Sequence, residues 1–139
     1  KDTVYNEVFL DKQNLERMFG CQITGMAYPY GTYNDEVVQI LKKCKIQYAR
    51  SVVSSGAFKL QKNLLIFKPT CHHADENIWE LLEKFLKEKS EEKQLFYIWG
   101  HSYEFDVNNN WKRMEEILDR LIGHNNIFYG TNREVLLPC

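Results

Sequence analysis

Three short segments hold most of the residues able to do chemistry. In Trp99-Gly100-His101-Ser102-Tyr103-Glu104-Phe105, Glu104 stands three residues after His101. A carboxylate at that spacing can orient and charge an imidazole for general acid or base work. The plainer reading of His101, a packed histidine after an apolar run, lacks a reason for the carboxylate. Pro69-Thr70-Cys71-His72-His73-Ala74-Asp75 holds two adjacent histidines, which with Cys71 or Asp75, and with His101, form a candidate metal site. Successive strand residues face opposite sides, so two neighbouring histidines on one ion would be unusual. The third segment is Ala27-Tyr28-Pro29-Tyr30-Gly31-Thr32-Tyr33-Asn34-Asp35. Its tyrosines, with Trp99 and Tyr103, offer flat faces and hydroxyls of the kind that bind sugar rings. Trp99 reads first as wall and then as a stacking surface, whereas Trp79, Leu82 and Phe85 are core.

The elements that must position these segments alternate. A helix capped at Asp2 or Thr3 carries Val4, Val8, Leu15, Met18 and Phe19 and stops at Gly20. Ile23 to Tyr28 reads as a strand, Asn34 or Asp35 caps a helix bearing Val37, Val38, Ile40 and Leu41, and Ile46 to Val53 returns as a strand. Ser54-Ser55-Gly56 opens a loop, and Leu64 to Lys68 is a further strand stopped by Pro69. Asp75 or Asn77 starts a helix whose stripe runs from Ile78 to Leu86, and Lys87 to Lys93 is its solvated end. Leu95 to Trp99, five apolar residues in a row, predicts a strand buried on both faces. Asn108-Asn109-Asn110 precedes a helix from Trp111 to Leu121, and Ile127 to Tyr129 is a last strand. Strand and helix in turn imply βαβ units, an α/β class with about five mostly parallel strands. In such folds functional groups gather beyond the carboxyl ends of strands, where the three segments fall.

Composition narrows the partners. The 139 residues are 44% hydrophobic and 27% charged, which is globular, and one domain is expected over 1–139. Eighteen basic against nineteen acidic residues leave a net charge of −1, with no electrostatic case for nucleic acid or an anionic membrane. No apolar run approaches a membrane span. The amino terminus shows no signal-peptide pattern and no initiator Met, so a longer parent chain is expected. Cys21, Cys44, Cys71 and Cys139 are widely spaced, without zinc-knuckle spacing, and read as reduced thiols with Cys71 set aside. Location stays open between the cytoplasm and the cell envelope of a bacterium.

Tyr28-Pro29-Tyr30-Gly31-Thr32-Tyr33-Asn34 resembles the third motif of the polysaccharide deacetylases, carbohydrate esterase family 4. Phe96 to Phe105 resembles the late histidine motif of one branch of that family, and Pro69 to His73 looks like the same branch. Tyr48-Ala49-Arg50-Ser51 is similar to the strand that follows the third motif. The resemblance implies a distorted (β/α) barrel and metal-assisted removal of acetyl groups from N-acetylated sugars, a hydrolysis of non-peptide carbon–nitrogen bonds. It implies His101 as the general acid and the Tyr30 backbone N–H as an oxyanion donor. Tyr28, Pro29, Trp99, Tyr103, Glu104, His72 and His73 are then expected to line the substrate, an N-acetylated polysaccharide or oligosaccharide.

The departures shape the expectation as much. The family's Thr-Phe-Asp-Asp motif, which supplies the base and a metal ligand, has no counterpart in this sequence. Neither has the His-(Ser/Thr)-x-x-x-His motif, and Ala27 replaces the arginine that usually opens the third motif. The fourth motif's Asp-Trp pairing is also missing after Ser51. The family's divalent metal, zinc or similar, is therefore expected without family ligands in this chain. The reading that follows is a partial barrel, the carboxyl-terminal part of a deacetylase domain lacking its first strands and inactive alone. An open sheet edge predicts self-association. The alternative is a non-catalytic carbohydrate-binding remnant.

Overall fold

The computed structural model describes residues 2–137, which leaves Cys139 outside the described residues. Among the described residues, six α-helices and four short strands are arranged in two compact units, an α/β content of helices and small parallel sheets.

The first unit comprises residues 1–52, 61–67 and 129–139. Its helix α1 (Asp2–Phe19) leads into β1 (Gly25–Ala27), α2 (Asp35–Lys43) and β2 (Tyr48–Arg50). Asn34 caps α2 as its spacing predicts, its side chain accepting the Val37 N–H at 2.9 Å. Strands β1 and β2 pair in parallel with Gly25 opposite Tyr48 and Ala27 opposite Arg50. Leu41 and Ala49 are wholly enclosed, and Val38, Ile40, Ile46 and Leu65 complete a core against which Val4, Val8 and Phe9 of α1 pack.

Leu64 to Lys68 does not form the expected strand. The Asn63 carbonyl oxygen of the side chain accepts the Leu65 N–H, and Leu64–Ile66 coils into a 3-10 turn. Only Phe67 bridges β2, at Arg50. A last helix, α6 (Asn132–Leu136), stands near the end of the described chain. Thr131 and Glu134 close a reciprocal capping box at its start.

The second unit comprises residues 53–60 and 68–128. It contains β3 (Cys71–His72), α3 (Ile78–Lys87), β4 (Ile98–Trp99), α4 (Tyr103–Val107) and α5 (Trp111–Leu121). Strands β3 and β4 run parallel, Cys71 opposite Ile98 and His72 opposite Trp99. Cys71, Ile78, Leu82 and Ile117 are completely buried together, with Trp79, Phe96 and Met114 packed around them.

Three expectations about strands are corrected. Of Leu95 to Trp99 only the last two residues form a strand, and all five are half-buried rather than enclosed on both faces. Ile127 to Tyr129, at the border of the two units, is not a strand. Among the described residues four strands form two parallel pairs, β1–β2 and β3–β4, against an expectation of about five mostly parallel strands. Among the described residues no helix is long and apolar enough to cross a membrane.

Candidate functional site

The carboxyl ends of β3 and β4 lie side by side because the strands are parallel, and the chain leaving each of them carries the candidate chemistry. His73 continues the ladder one residue past β3, donating its N–H to the Trp99 carbonyl at 2.9 Å. The chain leaving β4 turns at Gly100 and begins α4 at Tyr103, which brings Glu104 back over the strand ends.

One carboxylate oxygen organises the site. Glu104 Oε2 accepts the His101 backbone N–H at 2.8 Å and lies 2.8 Å from His73 Nε2. The same oxygen is 3.2 Å from His72 Nε2 and 3.5 Å from His101 Nδ1. The expectation that adjacent histidines diverge is therefore overturned. The two rings approach to 4.2 Å, because β3 ends at His72 and His73 no longer alternates as a strand residue must.

Aromatic rings wall the cluster. His72 meets Trp99 edge-on at 4.5 Å, Trp99 meets His101 at 6.0 Å, and His101 lies 5.4 Å from Tyr103. Phe105 covers His73 at 4.2 Å. His73 is 2% exposed, so it is a wall of the site and not a surface that substrate can touch. His101 and Tyr103 face solvent, while His72 and Glu104 are partly covered. From α5, Arg113 donates to the carbonyls of His73 and Asp75 at 3.0 and 2.8 Å, fixing the turn that carries His73. Arg113 lies outside the motifs, and Gly100 lies inside Phe96 to Phe105 without being singled out there.

The first-unit segment sorts differently. Tyr28 is a core residue whose hydroxyl donates to the Leu65 carbonyl at 2.7 Å, and burial pushes its pKa up to about 12. Pro29 is exposed and Tyr30 is 96% exposed with a left-handed backbone, φ 55°. Gly31 follows at φ 72°, where a Cβ would lie 2.3 Å from Val52 Cγ2. A cavity of about 660 Å³ in this unit is lined by Asp2, Tyr5, Glu36 and Lys43 and includes none of the expected site residues.

A family model described as polysaccharide deacetylase matches residues 1–49, the stretch holding α1, β1, the Tyr28–Asn34 turn, α2 and the start of β2. Over those residues the chain is similar to the polysaccharide deacetylases. No curated protein and no solved structure matches it.

The likeness to the polysaccharide deacetylases implies a metal, and His72, His73 and Glu104 are the described residues whose ligand atoms cluster, all within 4.8 Å of one another. Their hydrogen bonds do not suit an ion. A neutral imidazole that ligates through one nitrogen carries its proton on the other and donates it outward. His72 does the reverse, since its Nδ1 accepts the Ala74 N–H at 3.1 Å. The Nδ1 of His73 is buried without a partner among the described residues, so a proton placed there would have no acceptor. Cys71 and Asp75 are engaged elsewhere. Cys71 sits in the core with its thiol pushed up to about 11 by burial, and Asp75 Oδ1 accepts the Asn77 N–H.

The histidine–carboxylate cluster makes stability depend on pH in a definite sense. The His101 N–H and His73 lower the Glu104 pKa from 4.5 to about 2, and burial followed by His73 lowers that of His72 from 6.5. Both folded values are depressed, so the unfolded chain takes up protons first as pH falls. The His72 contribution is complete above 6.5 and is lost as pH falls through its lower folded value. The Glu104 contribution is complete above 4.5 and fades toward about 2. Urea midpoints measured across this range should decline on acidification, and Glu104→Gln should remove the lower part of the decline. A profile unchanged by that substitution would contradict the assignment.

Proposed function

We propose that this chain supplies the proton-donating half of a deacetylation site for N-acetylated sugars. The likeness to the polysaccharide deacetylases over residues 1–49 supports the reaction class. The observation that carries the reading is the half-exposed His101 imidazole beside Glu104, flanked by Trp99 and Tyr103. In this reading the aromatic faces of Trp99 and Tyr103 hold the sugar ring, and His101 gives its proton to the departing amine. Tyr28 keeps a structural part, tying the turn before Tyr30 to the core. No step is assigned to a metal, and none of the residues 1–139 is assigned as the base.

A second reading, carbohydrate binding without turnover, is favoured by the exposed ring of Tyr103 beside His101. Titrating the chain with N-acetylglucosamine oligomers while following the His101 and Tyr103 ring signals tests both. Binding at those rings with no acetate released by the chain alone is expected. Acetate release by the chain alone would overturn the assignment of a half-site, and silence of both rings would overturn sugar recognition.

A further inference from the structure

The hydrogen bonds around Glu104 define protonation states as well as distances. His72 Nδ1 accepts from the Ala74 N–H, so in the neutral ring the proton sits on Nε2, the nitrogen 3.2 Å from Glu104 Oε2. His73 Nε2 lies 2.8 Å from that carboxylate oxygen, a distance that requires a proton between them. Its Nδ1 is buried beside Phe105 with no partner among the described residues, where a bare lone pair is tolerated better than an unsatisfied N–H. Both imidazoles are thus neutral rings with the proton on Nε2, and both protons point at one oxygen. The His101 backbone N–H is the third donor to it.

The backbone supports this arrangement from two sides. Arg113 grips the His73 and Asp75 carbonyls, and Gly100 leaves room for the His73 ring, since a Cβ there would stand 1.9 Å from Cδ2. The titratable and charged groups facing the carboxylate are then His72, His73 and His101, with Arg113 held on the carbonyls behind His73.

We propose that Glu104 is a positioning residue that holds His72 and His73 as a metal-free pair of Nε2–H imidazoles and, through the His101 N–H, sets the segment that presents His101. The part concerning His101 as a proton donor rests on the proposed function; the metal-free, fixed-tautomer pair does not. Glu104 here does the orienting work that a metal ion does in a two-histidine, one-carboxylate centre. Its own charge is the condition, because a neutral carboxyl would have to donate to one of three groups that already donate.

The test is nitrogen–proton NMR of the histidine rings near neutral pH, before and after one equivalent of Zn²⁺, for the wild type and Glu104→Gln. The expected wild-type spectrum shows both His72 and His73 protonated on Nε2, unchanged by Zn²⁺. In Glu104→Gln the His73 ring and the His101 amide signals should move, with Zn²⁺ still without effect. A proton on Nδ1 of either ring, or stoichiometric Zn²⁺ binding that shifts both rings, would overturn the metal-free pair. Unmoved His73 and His101 signals in the folded variant would overturn positioning by Glu104. Because Gln keeps the side-chain volume and one acceptor oxygen, folding is retained for the comparison. None of these readouts uses sugar, so failure of the deacetylation reading leaves the tautomer result standing, and the reverse holds too.

Discussion

Gly100→Ala is expected to lower the unfolding free energy by about 3–5 kcal/mol, combining overpacking, loss of a charge-assisted hydrogen bond and backbone strain at φ 156°. The added Cβ would stand 1.9 Å from His73 Cδ2 and 2.7 Å from its Nε2. The ring cannot swing aside cheaply. Phe105 covers one face, its Nε2 is bound to Glu104, and its backbone carbonyl is gripped by Arg113. Any shift that admits the methyl group breaks the His73–Glu104 bond and leaves a buried donor beside a partly buried carboxylate. Gly123→Ala is the control, because Gly123 has φ 83° with nothing within 4 Å of its Cβ position. That variant should lose only the left-handed backbone penalty, about 1 kcal/mol. Equal losses for the two variants in denaturant unfolding would mean that His73 is not the obstacle.

The same stretch shows what the sequence discloses and what it withholds. Helices α2 and α3 are legible because each buries a stripe at 3.6-residue spacing, as Val38 and Leu41 do in α2 or Ile78 and Leu82 in α3, whereas α1 only half-buries Val4, Val8 and Phe9 and leaves Met18 and Phe19 exposed. Short extended pieces are not. Strand β3 is two residues long and carries no alternation, so Cys71 and His72 read as loop, while Leu64 to Ile66 imitates a strand and coils. Helix α6 had a usable signal in Thr131 and Glu134, the pair that forms its capping box. His101 and Glu104 are legible as neighbours in the chain. That His72 and His73 join them is a tertiary fact, set by parallel pairing of β3 with β4 and by the end of β3. The barrel stays an expectation of resemblance, since the strands form two separate pairs.

In a polypeptide that also carries the family's Thr-Phe-Asp-Asp and His-(Ser/Thr)-x-x-x-His motifs ahead of Lys1, His101→Asn is expected to lower kcat about 10²–10⁴-fold with KM little changed. A general acid acts on the leaving amine as its bond to the acetyl carbon breaks, so its loss appears in the transition state and not in binding. The substitution leaves the His101 backbone N–H in place, and with it the bond to Glu104 Oε2, so the rest of the cluster keeps its geometry. The pH–rate profile should lose the limb that reports the acid. Aromatic substitutions at Trp99 or Tyr103 should act in the opposite way, raising KM because these rings meet sugar in ground and transition states alike. A loss confined to KM in His101→Asn would make the imidazole part of the sugar-holding surface. That result would favour the binding reading, with the row of rings from Trp99 through His101 to Tyr103 as the surface for a sugar that is never cleaved.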